Sequence, residues 1–132
     1  MGPFGNEFKL YCERGFHLAV RGNGIIEGTD ELNDCDTDLI CSSADNESEV
    51  RLKGKYTGRY ICFGEEGQLY GEEDVNNPGT KFIESFAGSY TCYESATYPK
   101  WYIGLNKQLK SKPGPRTTWG KKSTKFLPRR QS

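Results

Sequence analysis

The strongest constraint on this 132-residue chain is that it repeats itself three times. Gly15-Phe-His-Leu-Ala-Val-Arg-Gly-Asn-Gly24 is echoed by Gly58-Arg-Tyr-Ile-Cys-Phe-Gly-Glu-Glu-Gly67 and by Lys100-Trp-Tyr-Ile-Gly-Leu-Asn-Lys-Gln-Leu109. Each copy places two apolar residues two positions apart: Leu18 and Val20, Ile61 and Phe63, Ile103 and Leu105. That is the alternation of a strand with one buried face. A turn follows each pair. Leu39, Phe82 and Phe126 keep the same period, each with an apolar residue directly after it. Solenoid repeats of this length usually need helices, and propellers need at least four blades. Sixteen Gly and six Pro against four Ala make a poor helical composition. The expectation is all-β: a β-trefoil of three pseudo-repeats of about 42 residues, a closed barrel capped by hairpins. In it the repeated pairs line the barrel, and His17, Tyr60 and Tyr102 face outward. The domain spans 10–128, with an N-terminal tail over 1–9 and a basic C-terminal tail over 129–132.

Charge is the second constraint. The chain is neutral overall, yet residues 1–94 carry 8 basic and 18 acidic side chains, whereas 95–132 carry 10 basic and none acidic. Most of those cations fall on the Gly/Pro-rich stretch Lys110-Ser-Lys-Pro-Gly-Pro-Arg116 and the turn Trp119-Gly-Lys-Lys122. A curved loop offering side chains and backbone N–H groups suits sulfate or phosphate oxygens, and a regularly spaced polyanion better than one small ligand. Nucleic-acid readers usually interleave exposed aromatics for stacking. Here Trp119 is the only aromatic within the loop, read as a packing anchor beneath it, so a sulfated glycan is favoured and nucleic acid is not expected.

Other classes drop out. His17 is the only histidine, no C-x-x-C pair occurs, and no metal site is expected. No G-x-S-x-G, Walker A or H-E-x-x-H pattern is present, and the acidic clusters Glu65-Glu66 and Glu72-Glu73-Asp74 read as solvated turns, so the chain is not expected to be an enzyme. Apolar runs are too short to insert in a membrane. Residues 1–9 hold no apolar core of a signal peptide. The five cysteines, Cys12, Cys35, Cys41, Cys62 and Cys92, leave room for a bridge that spacing does not place. Asn46-Glu47-Ser48 is a possible N-glycosylation acceptor.

From Leu10 to about Pro128 the chain resembles the fibroblast growth factors. The resemblance rests on Leu10-Tyr-Cys12, Gly15-Phe-His-Leu18, Asn23-Gly-x-x-x-Gly-Thr29, Thr57-Gly-x-Tyr60 and Gly67-x-Leu-Tyr-Gly71. It continues through Phe82-x-Glu84, Trp101-Tyr-x-Gly-Leu105, Gly114-Pro-Arg-Thr117 and Phe126-Leu-Pro128. It implies a secreted, extracellular growth factor, monomeric in itself, that dimerises a fibroblast growth factor receptor tyrosine kinase through its ectodomain. Heparan sulfate is the implied co-receptor, with no other cofactor. By matched position Arg14, Asn106, Lys107, Lys112, Arg116, Lys121 and Lys122 would contact the glycan, with Lys110 adding to the field. Tyr11, Glu84, Tyr90, Thr91 and Leu127 would form the receptor face. Thr91 stands where many members have asparagine, and Pro113 where many have a basic residue. Thr80 stands where a cysteine is common, which removes the partner that Cys62 has in one subfamily. Two alternatives stay open: an intracellular homologue of the same fold binding a cytoplasmic protein, and a glycan-binding trefoil without receptor activity.

Overall fold

The computed structural model describes residues 6–130. Ten strands occur in order: β1 (Glu7–Cys12), β2 (Phe16–Val20), β3 (Ile26–Thr29), β4 (Leu39–Ser43), β5 (Glu49–Gly54), β6 (Tyr60–Phe63), β7 (Leu69–Glu72), β8 (Phe82–Ala87), β9 (Tyr90–Ser95) and β10 (Phe126–Arg130). No α-helix is present among the described residues. Antiparallel pairing runs β1–β10–β9–β8–β5–β4 and returns to β1, closing a six-stranded barrel with no free edge. The β2–β3 and β6–β7 hairpins stand outside this ring. A third hairpin, held by the bridges Glu94↔Tyr102 and Leu105↔Ser111, completes the set. The architecture is the expected β-trefoil.

The repeated apolar positions form one core. Leu39, Phe82 and Phe126, at the starts of β4, β8 and β10, are fully buried, as are Leu18, Val20, Ile61, Phe63, Ile103 and Leu105. One detail of the expectation changes. The paired residues sit on the hairpins, outside the ring, so they close the barrel rather than line its wall.

A threefold ring of backbone bonds joins the hairpins. The Gly71 N–H donates to the Gly24 carbonyl at 2.7 Å, Gly114 N–H to Gly67 at 2.8 Å, and Gly28 N–H to Leu109 at 2.7 Å. The acceptors sit in turns at φ of +90°, +98° and +69°. Two of the donors leave no room for a side chain: a Cβ on Gly28 would stand 2.5 Å from the Phe16 ring, and one on Gly114 would stand 2.5 Å from Trp101; one on Gly71 would stand 3.1 Å from the Arg59 side chain. A second threefold device precedes β4, β8 and β10. Single 3₁₀ turns over Cys35–Thr37, Pro78–Thr80 and Lys122–Thr124 each end in a buried threonine. The Thr37, Thr80 and Thr124 hydroxyls donate to the carbonyls of Asp34, Asn77 and Lys121 at 2.7, 2.8 and 3.1 Å.

Both tail boundaries need correction. Glu7, Phe8 and Lys9 belong to β1, with Phe8 buried, and Arg129 and Arg130 pair with Lys9 and Phe8 as the end of β10. Ladder bonds and the burial of Phe8 hold both segments in the barrel; residues 1–5 and 131–132 lie outside the described residues. His17 points away from the barrel core as expected, but it is only 7% exposed, with its cross-strand partner Tyr11 of β1 packed edge-on at 5.1 Å. The acidic 30–38 loop is organised around Arg21, which bonds Glu27 at 2.9 Å, Asp34 at 2.8 Å and Asp36 at 3.2 Å.

All five thiols are free. Cys12, Cys62 and Cys92 are buried, and burial pushes the Cys41 and Cys62 thiols up to about 11. Since the thiolate is the reactive form, native protein at neutral pH should show one fast thiol, exposed Cys35, and five in denaturant; a disulfide-reagent assay checks both counts. Gly114→Ala should force the Trp101 contact apart and cost about 1–3 kcal/mol, read as a lowered thermal midpoint with folded spectra retained.

Candidate functional site

The third repeat departs from the other two in charge. Asn106 folds the tip of its hairpin: its Oδ1 accepts from the Gln108 and Lys110 amides at 2.8 and 3.0 Å. This turn leaves Lys107 and Lys110 exposed on either side of Leu109. Beyond it, Pro113 opens a 3₁₀ turn over Gly114–Arg116. The Thr117 hydroxyl donates to the Gly114 carbonyl at 2.6 Å and accepts from the Tyr102 amide at 2.8 Å, tying the turn to the hairpin. Gly114 rests on Trp101, which stacks on Tyr98 at 4.7 Å and meets Phe63 edge-on at 5.6 Å. Trp101 is therefore the anchor beneath the loop. Trp119, expected in that role, is 48% exposed and donates through Nε1 to Ser85 Oγ at 3.0 Å, because the sharp Gly120 turn carries it outward.

The 3₁₀ turns show the same break in symmetry. Asp34 and Asn77 cap the first two, accepting from the amides of Asp36 and Gly79 at 3.1 and 2.9 Å. Lys121 occupies the third cap position, and no side chain caps that turn. A side chain that would satisfy an amide has been replaced by a cation beside it, a combination that leaves an anion favoured from both directions.

Arg14, in the β1–β2 turn, shares a depression of about 210 Å³ with Lys107 and Lys122. Its Nε is buried without an acceptor. Among the described residues, none of Arg14, Lys107, Lys110, Lys112, Arg116, Lys121 and Lys122 is in an ion pair. Elsewhere cations are mostly matched: Lys9 with Asp38 at 2.7 Å, Lys55 with Glu7 at 2.8 Å, Arg59 with Glu73 at 3.6 Å and Lys81 with Asp45 at 2.9 Å. Lys125 leaves the open field too, pairing with Glu13 at 3.0 Å and lying 5.4 Å over the Tyr90 ring.

The second residue set lies on the adjacent strands β1, β10, β9 and β8. Tyr11 and Leu127 are register partners, both half-buried, and Tyr90 is half-buried at the start of β9. Glu84 is exposed on β8 opposite buried Tyr93; burial, reinforced by Glu84, pushes the Tyr93 phenol upward. Glu84 opens into a hollow of about 450 Å³ that Cys41 and Arg130 also line. Thr91 does not join this surface. It is 5% exposed, turned inward opposite Phe126. Sequence reading missed Arg129, whose guanidinium lies 5.3 Å over Tyr11, and Phe86, 72% exposed on β8. The alternation of Phe8, Leu10 and Cys12 with Lys9 and Tyr11 was the available signal for the first.

A family model described as fibroblast growth factor matches residues 6–127. The chain is 35% identical over 133 residues to fibroblast growth factor 1 of Xenopus laevis, covering 96% of this chain and 84% of that one. It is 31% identical over 128 residues to fibroblast growth factor 2 of Bos taurus, covering 96% and 82%. The chain belongs to the fibroblast growth factor family, a family of growth factors rather than enzymes. Among the described residues no group of His, Cys, Asp and Glu is placed to hold a metal ion, and no helix is long and apolar enough to cross a membrane.

Proposed function

We propose that this chain is a secreted growth factor that binds heparan sulfate through its third repeat and a fibroblast growth factor receptor ectodomain through the Tyr11–Leu127 face. Two such units on one glycan would bring two receptor kinases together. The observation that carries the reading is the unpaired cationic surface of Arg14, Lys107, Lys110, Lys112, Arg116, Lys121 and Lys122, on a protein whose other cations are mostly matched. Seven cations without partners repel one another, a cost that a polysulfated chain offsets by binding and releasing counterions. Asn106 is proposed to work differently. Its oxygen is committed to the turn, so it would position Lys107 and Lys110 and offer only its amide nitrogen.

For the receptor face, half-buried tyrosines beside a leucine give an anchor that stays ordered before binding, rimmed by the exposed carboxylate of Glu84. Thr91 would act only through the packing of β9. Asn46 is exposed in the β4–β5 turn, and its Oδ1 accepts from Ser48 Oγ at 2.8 Å; it is proposed as a glycan acceptor if the chain passes through a secretory compartment.

Replacing Lys112, Arg116 and Lys122 together by Ala should lower the sodium chloride needed to elute the protein from heparin, and flatten the slope of log affinity against log salt by about two to three. Replacing the matched pair Lys55 and Lys81 should leave both nearly unchanged. Equal losses from the two sets would refute the site. Tyr90→Ala should weaken ectodomain binding by about 1–3 kcal/mol while heparin elution holds.

A further inference from the structure

A second cationic hollow lies beside Tyr11, and it shares no lining residue with the Arg14–Lys107–Lys122 depression. Pairing sets Lys9 of β1 opposite Arg129 of β10, and Tyr11 opposite His17 of β2. Like charges directly opposite one another destabilise a sheet. Lys9 is compensated by Asp38 at 2.7 Å and by the Thr37 hydroxyl at 2.6 Å. Arg129 is not: it is exposed, lies 5.3 Å over the Tyr11 ring, and has no ion pair among the described residues. Lys9, His17, Arg129, Arg130 and the 80% exposed Leu32 line a hollow of about 210 Å³.

His17 is the only histidine in the chain, and the charged groups nearest it are cations. Lys9 and Tyr11 face it from β1 and Arg129 from β10, with Arg130 of β10 lining the same hollow; its β3 partner is the uncharged Thr29. The nearby carboxylate of Asp38 is committed to Lys9. Burial first, then Arg129 and Lys9, hold the imidazole below its ordinary range, so it is neutral at physiological pH.

We propose that this hollow receives a carboxylate side chain of the protein partner, with the Arg129 guanidinium as its principal donor and His17 as a donor coupled to proton uptake. The partner identity rests on the receptor reading above; the anion chemistry of the hollow does not. A protein carboxylate fits better than a glycan sulfate because, of the two guanidiniums in the hollow, that of Arg129 is held over an aromatic ring and rimmed by Leu32, which suits one bidentate contact in an amphipathic surface. A polysulfate needs a track of cations instead. A carboxylate in the hollow cancels the cationic field on His17 and raises its protonation midpoint. Binding therefore takes up a proton and tightens as pH falls through that range.

The test follows the His17 ring by NMR across pH, with and without a tetra-aspartate peptide, in the Lys112→Ala, Arg116→Ala, Lys122→Ala background that weakens the competing cationic surface. The peptide should raise the midpoint by about half a pH unit or more, and Arg129→Gln should abolish the shift. An unmoved midpoint, or a shift that survives Arg129→Gln, overturns the proposal. Ectodomain affinity should rise about twofold between pH of about 7.5 and about 6 for the parent chain and stay flat for Arg129→Gln. A drop in heparin elution for Arg129→Gln would assign the hollow to the glycan instead, overturning the carboxylate. Absence of ectodomain binding by the parent chain would remove the receptor reading, while the peptide titration still decides the hollow.

Discussion

Everything in this fold depends on three amide bonds that tie its hairpins into a ring: Gly71 to Gly24, Gly114 to Gly67, and Gly28 to Leu109. A net hydrogen bond contributes only about 0.5–1.5 kcal/mol, so their weight lies in geometry. Each requires a donor strand with no side chain above a bulky neighbour and an acceptor in a left-handed turn. Two acceptors are glycine; the third, Leu109, holds φ +69° while packing against the core. Burial of the aliphatic pairs beneath the hairpins then follows, because the ring sets the hairpins over the barrel mouth. The two effects reinforce each other in every repeat.

Against that symmetry, the proposed glycan surface stands out as the place where equivalent positions diverge. Phe16 and Trp101 occupy matching platforms under Gly28 and Gly114, yet only Trp101 supports a cationic loop. Asp34 and Asn77 cap their turns with side-chain oxygens, whereas Lys121 brings a positive charge to the same place. The loop is thus held rigidly by Trp101, Thr117 and the Gly114 bond while its cations remain unmatched. Preorganised charge of this kind costs the free protein stability and reduces what binding must order.

The barrel was legible because its period was written in residues whose burial is obligatory: Leu39, Phe82 and Phe126 could hardly lie anywhere else. The basic loop was legible from charge segregation alone. What escaped depended on contacts between distant segments. Nothing near His17 in sequence shows that Tyr11 packs against it, nor that Tyr11 would be held by Arg129 from the far end of the chain. Trp119 and Trp101 are both tryptophans near the loop, and only the Gly114 approach separates anchor from exposed ring. Thr91 matched a surface motif, but strand parity turned it inward. The tails were misjudged because a strand of alternating Phe8-Lys9-Leu10-Tyr11 needs its partner β10 to be recognised as one.

In the proposed function one face of this molecule reads a sulfated glycan and another reads a receptor, both being needed for signalling. The most direct measurement is receptor phosphorylation on cells that carry fibroblast growth factor receptors but lack heparan sulfate, with and without added heparin. The account predicts phosphorylation only when heparin is added. Equal phosphorylation without it would contradict the co-receptor role of the third repeat, and none in either condition would contradict the receptor face.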